Sequence, residues 1–444
     1  MSYSVPMLPF AGEFLRSPLP LAGLGPFTTL ELVLLIVLAP VLVLLWNLTR
    51  HCECHYCGNP DRPIADALDA LAGSSNGHLT VGNSVELIED DAYFDAVEQA
   101  IAGARHTVHL ETFLWCDGKA SGRVVAALVA AARRGLTVRV LTDASGSMSL
   151  ATATADELRN AGVRFHRFRR YRLRNFGRWN LRDHRKIVVI DGRLAIVGGH
   201  CLTDDWLEDG KVLPRHRDVS ARITGPVVAA VQSCFLENWQ EVTGELFTDE
   251  TAFPPLEATG DLRAHVAYVK ADRCPSSVQV LHHLCIGYAE KRIRIQNPYF
   301  LPDPSGTRAL ANAAERGVDV RVMIPALTAT DSPWVTRAGR FQFERLLKSG
   351  VRIFEYQKTL LHQKVISIDG TWSGVGSSNF DDRSFEINDE ITIGIADETI
   401  AAQLEGIFEK DAAECVEITL EIWKQRTPVQ RAVDAVLYLF NEQL

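Results

Sequence analysis

The residues best suited to chemistry are two histidines, each followed two positions later by a lysine. They are His184 with Lys186 and His362 with Lys364, and each pair is followed by an aspartate, Asp191 or Asp369. In a strand, residues two apart share a face, so each pair offers an imidazole and an ammonium on one side. Asp191-Gly192 and Asp369-Gly370, flanked by β-branched residues, read as two-residue hairpin turns. That register would set Gly199 opposite His184 and Ser377 opposite His362, small residues that let a phosphate approach. Exchange at a phosphodiester needs a nucleophile, a proton donor for the leaving alcohol and cations for the phosphoryl oxygens. Two histidines and two lysines supply all three with no metal or cofactor. A neutral imidazole attacks phosphorus, and its mate protonates the leaving oxygen. A single pair would more often be a packed or solvated strand histidine; two pairs in matching frames change the odds. Asp191 and Asp369 belong to the candidate set, with shaping the turn as their preferred role.

The frames match because the chain repeats itself. HTVHLETFLWCDGKASG (106–122), VVAALVAAARRG (124–135) and LTVRVLTD (136–143) correspond to KRIRIQNPYFLPDPSG (291–306), ALANAAERG (309–317) and VDVRVMIP (318–325). Each run predicts a strand, a Gly-ended helix and a parallel strand. The copies realign at AGVRFHRF (161–168) and SGVRIFEY (349–356), and again at the two His-Lys motifs. Four blocks in one order mark a duplication.

H-x-K-x4-D-x6-G-S-x-N resembles the signature of the phospholipase D superfamily. The second copy carries it in full as His362, Lys364, Asp369, Gly376, Ser377 and Asn379. The first has His184, Lys186, Asp191 and Gly198, then departs with Gly199 and Cys201 in the Ser and Asn positions. Arg217-Asp218 with Gly225-Pro226, Gln296-Asn297-Pro298-Tyr299-Phe300, and the string from Asn379 to Glu390 are similar to the bacterial cardiolipin synthase branch. The resemblance runs from about residue 89 to the carboxyl terminus. It implies that Glu390 and Asp218 orient the catalytic histidines, as carboxylates fix an imidazole's tautomer. It also implies transfer of a phosphatidyl group between two phosphatidylglycerol molecules with release of glycerol. Within the superfamily the rivals are a phospholipase D-type hydrolase, transfer to another alcohol, or a nuclease; outside enzymes, an inactive membrane scaffold.

The fold class expected is α/β: two duplicated halves, each a mixed sheet flanked by helices, related by a pseudo-twofold axis with the site between them. The 444 residues divide into a segment 1–26, a transmembrane helix 27–46, a linker 47–85, a first half 86–260 and a second half 261–444. The run Phe27–Trp46 has the length and apolarity of a bilayer span, with no basic residue directly before it and no small-residue cleavage site after it. Arg50 and Arg62 follow the span and only Arg16 precedes it, which leans towards a single-pass protein of the inner membrane with a cytoplasmic catalytic region. The nine scattered cysteines fit a reducing compartment; the Cys52, Cys54, Cys57 cluster lacks a second pair and reads as reduced thiols before a metal site.

A net charge of −9 gives no general affinity for nucleic acid. Yet Arg164–Lys186 holds ten Lys and Arg against Asp183 alone, interleaved with Phe168, Tyr171, Phe176 and Trp179. Such a stretch suits anionic lipid headgroups, and its field would hold His184 unprotonated. The tail from 400 onward has apolar residues at helical spacing; core packing is its default reading, and Val433–Phe440 is the part expected to touch lipid.

Overall fold

The computed structural model describes residues 62–171, 178–208, 215–271 and 275–441, with Leu38, Val41 and Leu42. The first half contributes strands β1 (Thr80–Glu89), β2 (Thr107–Thr112), β3 (Thr137–Asp143), β4 (Arg164–Phe168), β5 (Ile187–Ile190), β6 (Leu194–Gly198) and β7 (Val219–Thr224). The second contributes β8 (Leu262–Val269), β9 (Arg292–Gln296), β10 (Phe300–Leu301), β11 (Asp319–Pro325), β12 (Arg352–Tyr356), β13 (Val365–Ile368), β14 (Trp372–Gly376), β15 (Phe380–Asp381), β16 (Glu390–Ala396) and β17 (Cys415–Ile418).

Fifteen of these strands follow one order, β17-β12-β11-β9-β13-β14-β16-β8-β1-β7-β6-β5-β2-β3-β4. Read outward from the β1–β8 junction, each half presents the same order of seven equivalent strands, to which the second half adds β17 at its edge. β1 and β8 meet antiparallel, the pairing a twofold between the halves demands. Within each half β2, β3 and β4, or β9, β11 and β12, run parallel, and the hairpin strands join them antiparallel. The sheet is therefore mixed, as expected, and continuous across both copies.

The parallel strands are joined by helices that the sequence punctuates. The helix Lys119–Arg133 buries Val124, Val125, Leu128 and Val129 at helical spacing and gives way to Gly135 at φ 89°. Its counterpart Pro304–Glu315 opens with Asp303 accepting from the Gly306 amide at 2.7 Å, and gives way to Gly317 at φ 94°. One apolar cluster fills each half, and a third, with Ile187, Val197, Ala221, Val266, Val375 and Ile393, spans both. Each buried Val or Ile there contributes roughly 1.5–3 kcal/mol, which holds the two copies together as one body.

Two expectations need correction. The stretch 47–85 is not linker throughout: helix Leu68–Ser74 inserts Leu68 and Leu71 into the second half's core, and β1 already begins at Thr80. The Gly-Ser run that suggested a linker ends that helix, where an added Cβ on Gly77 would lie 2.4 Å from the Val266 carbonyl oxygen. The hairpins also differ by one residue. Ile190 pairs with Leu194 and Ile368 with Trp372, so each turn holds three residues. Asp191 and Gly192, like Asp369 and Gly370, both take positive φ, and the next residue is added to the turn. Continued along the strands, this register levels His184 with His200 and His362 with Ser378.

No helix among the described residues is long and apolar enough to cross a membrane. The span expected at 27–46 lies outside them except for Leu38, Val41 and Leu42, which are helical and exposed. The Cys52–Cys57 cluster also lies outside. Among the described residues no three His, Cys, Asp or Glu side chains gather as a metal site.

Candidate active site

His184 and His362 stand just before β5 and β13, on loops that cross to the opposite half. The His184 amide donates to the Asp389 carbonyl at 2.9 Å, and the Asp389 amide donates back to Arg182 at 2.8 Å. The other copy repeats the exchange: His362 donates to Arg217 at 2.8 Å, and Arg217 donates to Leu360 at 3.0 Å. Each exchange sets the next residue, Glu390 or Asp218, beside the histidine of the other half. His184 Nδ1 lies 2.8 Å from Glu390 Oε1, and His362 Nδ1 lies 2.8 Å from Asp218 Oδ2. A carboxylate at Nδ1 makes that nitrogen the donor and leaves Nε2 as the lone pair.

The carboxylates are themselves held. Ser377 Oγ donates to Glu390 Oε2 at 2.5 Å, while Trp206 Nε1 donates to Asp218 Oδ2 at 3.0 Å. Gly199 occupies the Ser377 position, and a Cβ there would come within 2.4 Å of the Asp218 carboxylate. So Ser377 and Gly199, expected to border a phosphate, here touch the orienting acids. Asn379 donates its amide to Ser384 Oγ, and its buried Oδ1 has no hydrogen-bond partner among the described residues. Cys201, its counterpart, is buried in the first half's apolar core.

Asp191 and Asp369 bind backbone. Asp191 accepts from the amides of Arg105, His106 and Thr107, and Asp369 from those of Glu290, Lys291 and Arg292. Each pins the start of the neighbouring strand, β2 or β9, to its own turn.

The lysines differ. Both donate to the carbonyl of their own histidine, Lys186 at 2.6 Å and Lys364 at 2.7 Å. Lys364 Nζ also lies 3.0 Å from His362 Nε2, whereas no hydrogen bond reaches His184 Nε2 among the described residues. Lys186 instead sits 5.4 Å from the Phe113 ring, which meets His184 edge-on at 4.9 Å. Burial brings Lys364 down to about 7. Burial also lowers His184, to about 4, with the Lys186 and Lys364 charges adding to it against Glu390. His362 is held well below its ordinary value by burial and then by Lys364. The arginines of the basic insert are not among these causes, contrary to expectation. Burial works to raise Glu390 and Asp218, but the facing histidines and lysines outweigh it and both acids are held low.

Several of the insert's basic residues point inward. Arg169 pairs with Asp389, Arg182 with Asp143, and fully buried Arg185 reaches Glu237 and the carbonyls of Cys234 and Val269. They brace the loop that carries His184. Residues 172–177, including Arg172 and Arg174, lie outside the described residues.

A family model described as "Cardiolipin synthase, PLD-like domain" matches residues 97–211 and 284–412. The chain belongs to this family. A cardiolipin synthase A of Pseudomonas putida is 39% identical over 366 residues, covering 80% of this chain and 73% of its own length. One from Pseudomonas aeruginosa is 34% identical over 357 residues, covering 80% and 72%. The fold is shared with a phosphatidylserine synthase of Haemophilus influenzae at TM-score 0.62 and 14% identity, over 80% of this chain and 92% of that one. A polyphosphate kinase of Porphyromonas gingivalis aligns at TM-score 0.52 and 14% identity, over 81% and 54%.

Within the family frame, the structure adds residues that the motif did not reveal. Trp206 and Phe113 contact the two histidines, and His200, buried beside Tyr93, donates or accepts at Ser220 Oγ over 2.7 Å. Trp206 follows the Gly-Gly pair in the block equivalent to Asn379–Ser384, so its position in the repeat was the available signal.

Proposed function

We propose that this chain transfers a phosphatidyl group from one phosphatidylglycerol to the free headgroup hydroxyl of another, releasing glycerol. The observation that carries the reading is the crossed pairing: each half's histidine is oriented by the other half's acid, and each lies in the field of the other half's lysine. His184 Nε2 attacks phosphorus, and the bond to the glycerol oxygen breaks as His362 gives it a proton. His362 then takes the proton of the incoming hydroxyl, whose oxygen displaces His184 and restores both groups. Lys186 and Lys364 meet the phosphoryl oxygens; an anionic diester between them offsets the positive field that, after burial, keeps His362 unprotonated. Family membership supports the lipid substrate, and the relatives' names support the transfer. A single span at 27–46, with the catalytic region on the cytoplasmic side, completes the reading.

The test is purified full-length protein on vesicles containing phosphatidylglycerol, with lipid products and free glycerol measured together. Cardiolipin and glycerol in equal amounts are expected. Phosphatidic acid without cardiolipin would replace transfer with hydrolysis.

A further inference from the structure

The helix Pro428–Tyr438 leaves an apolar stripe in the open while it buries an aspartate. Its buried side carries Asp434, 3% exposed, while Val429 on the opposite side is 71% exposed. Val429, Val433 and Val436 stand at i, i+4 and i+7, one stripe of a helix, and all three face outward with Leu439. Water alone would favour the reverse. The orientation is fixed from beneath: Asp434 pairs with Arg426 at 2.6 Å, Tyr438 Oη accepts from Gln342 at 2.7 Å, and Asn441 donates to Asp382 at 2.5 Å. Rolling the stripe inward would break all three. Beside it, helix Pro333–Gly339 exposes Trp334, and Phe341 stacks on Tyr438 at 4.8 Å while half of its surface stays open.

The patch adjoins the catalytic site. Leu437 and Tyr438 pack on Leu301, Val335 and Ala338. Leu301 lies in β10, which pairs with β15, the strand that directly follows Asn379. Asp382, held by Asn441, is three residues beyond Asn379. We propose that this outward apolar face rests in the headgroup–acyl boundary of an anionic bilayer, holding the membrane at the mouth of the site. A second copy of the chain is the weaker occupant. A three-turn stripe is roughly 16 Å long and about 10 Å wide, far short of the ~800 Å² per partner of a stable dimer. Lys424, at the end of the preceding short helix Leu420–Lys424, and Arg431 are exposed, which suits anionic headgroups. The choice of lipid as partner rests on the lipid-substrate reading; the exposed stripe does not.

The experiment uses the full-length protein reconstituted in phosphatidylglycerol-containing vesicles, with a photo-crosslinking residue in place of Val436. Adducts to lipid are expected. Adducts to a second copy, adducts to residues 1–61 of the same chain, or no adduct would each overturn the proposal. In parallel, Val433→Ser with Val436→Ser should lose roughly tenfold in turnover on vesicles, two apolar side chains having lost their hold on the interface. The same variant should keep its turnover on a short-chain, monomerically soluble phosphatidylglycerol, with an unchanged Tm. Equal loss on both substrates would overturn the proposal. Lipid adducts from a wild-type protein inactive on both substrates would sink the proposed function and leave the interfacial face standing.

Discussion

At His184 and His362 the local asymmetry is one contact: Lys364 reaches Nε2 of its histidine, and Lys186 does not. An Nε2 without an ammonium against it is the better nucleophile, so the proposal assigns the covalent intermediate to His184 and the proton transfer to His362. A substrate with a very good leaving group needs little help from an acid. His362→Ala should therefore still give a phosphoryl-enzyme burst from such a substrate, and His184→Ala none; phosphate trapped on His362 by rapid quench and mass spectrometry reverses the roles. The pH dependence follows from the same groups. His184, at about 4, is an unprotonated base throughout the neutral range, so its limb lies on the acid side. Lys364, at about 7, loses its charge as pH rises through that value. Because kcat/KM reports the free enzyme, it should rise through about 4 and fall around 7 on a soluble substrate whose leaving group needs no proton from His362. Lys364→Arg should move the upper limb to alkaline pH, whatever it does to the maximum rate. An upper limb that stays near 7 in that variant would assign it to another group.

Elements explain what could and could not be read from residue order. The His-x-Lys pairs were legible because the same spacing recurs in both copies, and the duplication because each block repeats in order; the strand expected to carry each pair begins only after its lysine, at Ile187 and Val365. The crossed pairing of His184 with Glu390, and of His362 with Asp218, joins residues 206 and 144 positions apart. No periodicity reports such contacts, and only the family resemblance pointed to these acids. The hairpin register escaped because a turn of two and a turn of three share the same Asp-Gly. Helix Leu68–Ser74 escaped because the glycines that end it outweighed its short apolar stripe. At Asp369 the turn itself is testable. Its carboxylate satisfies three amides at the start of β9, and its φ of 55° suits Asp or Asn better than other side chains. Asp369→Ala should cost about 1–3 kcal/mol in denaturant unfolding, with Asp369→Asn in between. Activity per folded molecule should persist at a temperature well below the variant's Tm. Complete loss of turnover in a fully folded Asp369→Asn would give the aspartate a chemical role.

For the whole molecule the question is how a net-acidic chain stays at an anionic surface. The charge of −9 opposes it, so the proposed attachment rests on local features: the apolar run 27–46, the basic insert 164–186 and the outward face of helix Pro428–Tyr438. They differ in strength. A spanning helix is effectively irreversible, whereas an interfacial face and a basic loop bind reversibly. They also differ in salt response. Arginine–headgroup attraction is screened within a Debye length of about 8 Å at physiological ionic strength, and apolar contact is not. Part of the insert is already committed to internal ion pairs at Arg169, Arg182 and Arg185, so its electrostatic share should be modest. Deleting residues 1–50 should therefore release the protein from the carbonate-resistant membrane fraction. The shortened chain should still bind vesicles rich in phosphatidylglycerol, and this binding should weaken, without vanishing, as salt is raised from 0.05 M to about 0.5 M. Adding Val433→Ser and Val436→Ser to it should remove most of the binding that survives high salt. Retention of the shortened chain through both salt and carbonate washes would mean that the span at 27–46 is not what anchors this protein.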